Sequence, residues 1–175
     1  EDYITCRTAC APQPGIPRMW LEALQRWMGG DESMIRYLQK FCGYCLTGHV
    51  GEKMFAFLHG DPDSGKTVFV ETLAGLLKDP AATVEARKSY WRGSKIELFM
   101  SSKMERNQFA FGALAGARLV TAHETEEGRS WDTRLITQMT GRDAIQAERK
   151  YEHEFTYRPE YKLLFYGNVV SPMSI

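Results

Sequence analysis

Gly60-Asp61-Pro62-Asp63-Ser64-Gly65-Lys66-Thr67 follows, after His59, on the apolar run Met54-Phe55-Ala56-Phe57-Leu58. It satisfies the spacing GxxxxGK[ST] through Gly60, Gly65, Lys66 and Thr67. Glycines at those positions let backbone N–H groups turn inward around phosphate oxygens. A helix starting near Lys66 then aims its positive dipole end at the same oxygens. The Lys66 ammonium is expected to reach the β- and γ-phosphates of ATP, and the Thr67 hydroxyl to ligate Mg2+. Asp61, Pro62, Asp63, Ser64 and Val68 complete the segment expected to wrap the nucleotide. The competing reading, an ordinary Asp-Pro turn, needs neither a buried strand before it nor a helix after it.

Both flanks are legible. Lys53–His59 is short, aromatic and apolar, bounded by Gly51 and Gly60, and predicts a buried strand. After the loop, Val68, Phe69, Leu73, Leu76 and Leu77 recur at helical spacing as far as Lys78-Asp79-Pro80. Residues 118–123 predict a second strand, 131–140 a helix closed by Gly141, and 161–168 a third core strand. Residues 144–159 alternate apolar and polar on both sides of a charged centre, which predicts a hairpin. Upstream, residues 1–17 are Pro-rich and irregular. A helical pattern (Met19, Trp20, Leu21, Leu24, Trp27, Met28) starts at Pro17 and stops at Gly29-Gly30. Asp31 and Ser33 both qualify as N-cap of a second helix ending near Thr47-Gly48. The segment from about 80 to 115 gives no placeable element. Strands alternating with helices behind a helical preface predict an α/β core with a small α-helical subdomain.

Composition narrows the function classes. With 175 residues, 43% hydrophobic and 25% charged, the chain is ordinary globular material. Lys+Arg and Asp+Glu both number 22, which excludes a general basic coat but not a few cations gathered on one loop. No apolar run approaches the roughly 20 residues of a membrane helix. Cys42 and Cys45 form a CxxC inside a helical pattern, without a His pair at zinc-finger spacing. They are expected as buried or half-buried thiols, which fits a reducing cytosol. The chain starts at Glu1 rather than Met and ends abruptly, so it reads as part of something longer.

A phosphate loop needs a carboxylate that holds Mg2+ or orients water, usually at the tip of a neighbouring strand. Glu124, first after the 118–123 strand, is the candidate, and Glu126 and Glu127 are expected in a solvated turn. Asn168 stands at the tip of the 161–168 strand, where an amide can sense the γ-phosphate, although an Asn after Gly also suits a plain turn.

"YLQKFCGYCLTG" (37–48), "GDPDSGKT", "GARLVTAHETEEGRSWD" (116–132), "LITQMTGRDAI" (135–145) and "YRPEYKLLFYGN" (157–168) resemble, in order, the helicase half of phage and plasmid primase–helicase proteins. These are superfamily 3 helicases, a branch of the AAA+ ATPases. The likeness extends to the start of the chain, "DYITCRTA…PRMWLEAL". It implies a P-loop AAA+ core with a central parallel sheet and a β-hairpin before the sensor strand, over residues 51–175 and truncated at its C-terminus. Residues 1–50 would be the N-terminal helical subdomain. Gly65, Lys66 and Thr67 match the phosphate loop, Glu124 the acidic second motif, and Asn168 the sensor of the third. The resemblance also implies a hexameric ring in the bacterial host cytoplasm, with one DNA strand in its channel. The hairpin would touch that strand through Arg149, Lys150 and His153. Cations there grip phosphates without reading sequence, and the neighbouring Tyr151 can lean on a base or sugar. A solvated hairpin whose charges neutralise one another is the plainer alternative.

Two departures qualify the resemblance. No arginine follows Asn168 in "NVVSPMSI", where relatives carry a finger worth about 10³ or more in rate, so the piece is expected to bind ATP better than it hydrolyses it. Arg142 stands where relatives usually have Gly. Two other functions share the phosphate loop: a truncated nucleotide-dependent assembly module without turnover, and a small-molecule kinase. The kinase would need an Arg-rich lid that the sequence does not display.

Overall fold

A computed structural model of the chain describes residues 6–79, 89–102, 107–123, 130–149 and 153–168. Helix α1 (Arg18–Trp27) follows Pro17, whose fixed φ and missing N–H suit a helix start. It ends where Gly29 and Gly30 take positive φ (58° and 81°). Helix α2 (Glu32–Cys45) is capped by Asp31, whose carboxylate accepts from the N–H groups of Ser33 (2.9 Å) and Met34 (3.0 Å). Strand β1 (Phe55–His59) leads through the glycine-bearing loop into α3 (Lys66–Leu77). Strands β2 (Trp91–Gly93), β3 (Leu119–His123) and β6 (Lys162–Gly167) complete a four-stranded sheet of order β1-β6-β3-β2, parallel throughout. Strands β4 (Ile145–Ala147) and β5 (Phe155–Tyr157) pair antiparallel as a separate ribbon. Helices α4 (Gln108–Gly112) and α5 (Thr133–Thr140) and a 3-10 turn, Ile96–Phe99, fill the connections.

Helical layers cover both faces of the sheet, as an all-parallel sheet requires. Successive strand residues point to opposite faces. Phe55, Phe57, Val120, Ala122, Leu163 and Phe165 face a core built with Phe99, Phe111, Trp131 and Met139. Ala56, Leu58, Leu119 and Leu164 face α3 and the helical preface, where Leu24, Ile35, Leu38 and Phe41 meet Phe69, Val70, Leu73 and Leu77. The register matches like with like: Phe55 pairs with Leu163 and Ala56 with Leu164.

The segment that resisted sequence reading supplies β2. Arg92, at its centre, is only 4% exposed. Its guanidinium donates to the carbonyls of Ala113 (3.1 Å), Trp91 (2.9 Å) and Ser89, and burial lowers its pKa. A buried arginine in a three-residue strand breaks the apolar signal that marks a core strand.

At the amino ends of the strands a second cation is buried. Lys162 is 2% exposed and donates to the Thr47 carbonyl, with the Thr47 hydroxyl and the Glu160 carbonyl both at 3.4 Å. It thereby serves a carbonyl left open just past the C-terminus of α2. Its ammonium lies 4.4 Å from the Tyr44 ring centroid. Burial pulls its pKa down to about 8. A Cβ on Gly48 would overlap the guanidinium of Arg118, which pairs with Glu160 at 3.5 Å. "CLTG" is therefore an anchor between helix and sheet. Cys45 is buried and Cys42 half-buried, and desolvation pushes their thiols up to about 12 and about 11.

Candidate nucleotide-binding site

The carboxyl ends of β1, β6 and β3 lie side by side on one edge of the sheet, where ligands of open α/β sheets bind. His59 pairs with Gly167 and Tyr166 with His123. The loop from Gly60 to Gly65 therefore opens beside the tip of β6, and Asn168, exposed, is the first residue beyond that tip. Glu124 follows His123 in the chain but lies outside the described residues, as do Glu126 and Glu127.

Backbone conformations in the loop explain its sequence. Gly60 (φ 153°) and Gly65 (φ 89°) adopt angles that side chains rarely tolerate, and Asp63 (φ 60°) sits in the left-handed region that Asp visits most readily after Gly and Asn. Gly65 is the N-cap of α3 and has a second constraint: a Cβ there would overlap the indole of Trp27, at the end of α1. Lys66 folds over the loop. Its ammonium donates to the carbonyls of Gly60 (2.8 Å) and Asp61 (2.7 Å) and to the Ser64 hydroxyl (3.0 Å). Thr67 and Val68 are exposed on the first turn of α3, Val68 at 55%. An ammonium already held by three oxygens, two hydroxyls on one rim and the start of a 12-residue helix form a donor set that fits a magnesium polyphosphate.

A cleft of about 600 Å3 continues from this loop along β1. Gly60, Ser64, Gly65 and Lys66 line one end, and Trp27, Met28, Met34, Tyr37, Leu38 and Phe41 the side formed by α1 and α2. Sequence reading saw Trp27 only as an apolar helix position. Its one local signal is its place two residues before the double glycine that ends α1.

Of the three hairpin residues expected at nucleic acid, Lys150 lies outside the described residues. Arg149 lies two residues past the end of β4, its guanidinium 4.3 Å from the ring centroid of Phe155 on the opposite strand. His153 is exposed just before β5, and Arg142 is exposed after α5. The ribbon is tied to α4 at both ends: the Glu148 N–H donates to the Gln108 carbonyl (3.2 Å) and the Tyr157 hydroxyl to the Phe111 carbonyl (3.0 Å).

A family of unknown function, DUF5906, matches residues 58–174. The chain belongs to the DUF5906 family. That match begins at the last residues of β1 and takes in the Gly60–Gly65 loop, β3, the ribbon and β6. No curated protein sequence matches. Among solved structures, the fold is similar to the C-terminal region of NrS-1 in its apo A form (TM-score 0.69, 14% identity, covering 94% of this chain and 36% of that one). It is also similar to two further apo structures of NrS-1 residues 305–718, each with TM-score 0.59 and 14% identity. These cover 94% of this chain and 36% and 35% of theirs. At that identity the likeness is one of fold, and this DUF5906 chain spans about a third of the NrS-1 region. Among the described residues no helix is long and apolar enough to cross a membrane.

Proposed function

We propose that this DUF5906 chain is the P-loop AAA+ motor of a phage or plasmid replication protein, hydrolysing ATP to move along DNA as a superfamily 3 helicase. One observation carries the reading: the GDPDSGKT turn joins β1 to α3 at the carboxyl edge of a parallel sheet whose next strands, β6 and β3, lead into Asn168 and Glu124. The likeness to the NrS-1 C-terminal region, over 94% of this chain, supports the α/β fold that this reading needs.

In this reading Lys66 exchanges its three loop oxygens for β- and γ-phosphate oxygens, and the N–H groups at the start of α3 hold the rest of the polyphosphate. Thr67 and Glu124 would hold Mg2+, which would supply charge neutralisation at the γ-phosphate. Asn168 orients the attacking water or the γ-phosphate. Subunits form a ring with nucleotide at their boundaries, and Arg149, Lys150 and His153 grip one DNA strand through its backbone. Hydrolysis would move the 143–158 hairpin, and the hairpin would pull the strand.

The test is Mg2+-dependent ATP hydrolysis with and without single-stranded DNA, together with mass measurement. Stimulation by DNA that disappears in Lys66→Ala supports a motor. Ring formation on ATP without turnover favours the assembly module, and phosphoryl transfer to a metabolite without DNA dependence favours the kinase.

A further inference from the structure

Two hollows adjoin where the β4–β5 ribbon meets α4 and α5. The first, of about 380 Å3, has an apolar floor that includes Phe111 and Leu135, both buried, and a polar rim of Gln108, Gln138, Gln146 and Thr156. The second, of about 530 Å3, holds Arg134 and Asp143 and shares Gln138 with the first. Gln146 pairs with Thr156 across the ribbon, so both side chains leave the same face, and both residues are exposed. Two of the rim amides have acceptors to spare. Gln138 spends its Nε2 on the Ala144 carbonyl (3.3 Å), which leaves its Oε1 open. The Oε1 of Gln108 is buried and has no hydrogen-bond partner among the described residues. A covered acceptor without a donor is costly, so a ligand that brings an N–H is favoured there.

We infer that this amide rim is a base-reading slot, which takes one nucleobase of the DNA strand held by the ribbon and prefers adenine or cytosine to thymine. The inference rests on the DNA-binding role proposed for the ribbon, and adds a sequence preference to a grip that otherwise touches only the backbone. The occupant is argued from continuity and from chemistry. Gln146 lies three residues before Arg149, about 10 Å along an extended chain. A strand held by Arg149, Lys150 and His153 therefore carries a neighbouring nucleotide to the slot. Arg134, with Arg142 exposed in the turn after α5, offers the phosphate of that nucleotide a cation, against one acid in Asp143. A flat ring with a hydrogen-bonding edge suits an apolar floor inside an amide rim, and unstacked bases of single strands are read by such edges.

Selectivity follows from the spare acceptors. Adenine and cytosine each present an exocyclic amine, with two N–H donors, where thymine presents a carbonyl. The amine meets the Gln108 and Gln138 oxygens as a donor. The thymine carbonyl meets them as a third acceptor and leaves all three unpaired.

Fluorescence anisotropy with labelled oligo-dA, oligo-dC and oligo-dT of equal length, across a salt series, tests this on the whole chain. Oligo-dA and oligo-dC should bind at least about fivefold tighter than oligo-dT. All three should share one salt slope, because the backbone contacts are common to them. Gln108→Met and Gln138→Met each remove an acceptor at nearly constant volume. Each should bring the three strands within about twofold of one another and leave the oligo-dT affinity and the salt slope as in the wild type. Gln108→Met should also hold or raise the melting temperature, since the acceptor that it removes is buried without a partner. Arg149→Ala should act differently, weakening all three strands alike and lowering the salt slope by about 1. The inference is overturned if the wild type binds the three strands alike or prefers oligo-dT, or if its preference survives both glutamine variants. Binding of no strand, or binding indifferent to salt, would instead remove the DNA-gripping reading of the ribbon and this inference with it.

Discussion

Two lysines of this chain bond to backbone carbonyls, one at each edge of the same sheet. Lys66, at the carboxyl edge, is half-exposed and holds oxygens of its own loop. Lys162, at the amino edge, is almost wholly buried and holds carbonyls outside its own strand, from the end of α2 and from Glu160. The bonds look alike and their consequences differ. The partners of Lys66 lie next to solvent, so phosphate oxygens can take their place with little rearrangement. The partners of Lys162 can be replaced only by pulling α2 away from the sheet. What separates a working cation from an anchoring one is how cheaply its partners exchange.

The sharpest way to break this contrast is a pair of alanine substitutions. Lys66→Ala should reduce nucleotide turnover by about 10²-fold or more while moving the melting temperature little. Lys162→Ala should do the reverse: it costs roughly 2–4 kcal/mol through lost stem packing and orphaned carbonyls, while the folded fraction keeps its affinity for nucleotide. Chemical denaturation alongside ATP titration checks both. If Lys162→Ala abolishes binding at full stability, or Lys66→Ala unfolds the protein, the two edges are not distinct in this sense.

A matched pair of glycines sharpens it further. Gly65→Ala places a methyl against the Trp27 indole at φ 89°, a conformation strained for any side chain. It should cost about 1–3 kcal/mol and weaken phosphate binding as well. Gly48→Ala meets only the far end of Arg118, which can swing away at the expense of its contact with Glu160. Its cost should stay below about 1 kcal/mol, since the displaced pair is partly exposed and Arg118 yields at its flexible end. Thermal melts of the two variants, with nucleotide binding measured on each, give the comparison.

The smallest expected effect is one of pH. Lys162 has a lowered pKa in the folded protein, so between about 8 and its ordinary 10.5 the unfolded chain holds a proton that the folded chain has released. Stability contributed by this group therefore rises with pH across that window. Cys42, Cys45 and Tyr157 oppose it from about pH 9 upward. Their raised values keep protons on the folded chain that the unfolded one loses. A shallow rise of no more than about 1 kcal/mol from pH 8 to 9, followed by a fall, is expected by denaturant titration. Lys162→Met should remove the rise and keep the fall.

Much of the architecture could be read before any coordinates. The apolar runs of β1, β3 and β6, the helical spacing after Thr67 and the alternation around residue 150 each mark an element found where expected. Choosing Asp31 over Ser33 as the cap of α2 needed geometry, because both side chains suit the position and only the Asp31 carboxylate reaches two open N–H groups. Strand β2 stayed hidden because Arg92 satisfies itself on carbonyls of its own neighbourhood. The loop was recognisable from its spacing alone. Its neighbours were not: Trp27 and the stripe of α2 come to the loop only through the packing of α1 and α2 on α3. The anchoring role of Lys162 was equally invisible, since a lysine before Leu163-Leu164-Phe165 looks like the polar start of a strand.

Strand β6 is last in sequence among those of the main sheet, yet it lies between β1 and β3 and pairs with both. Neighbours in space are thus strangers along the chain, and Phe55 waits for Leu163. A ribosome making this protein releases the Gly60–Gly65 loop long before the strand that flanks it, so the nascent site stays half-built until residues 162–167 emerge. Closing so long a span is slow and leaves apolar strand edges open meanwhile. The order of synthesis itself therefore withholds the complete site until the sheet can close.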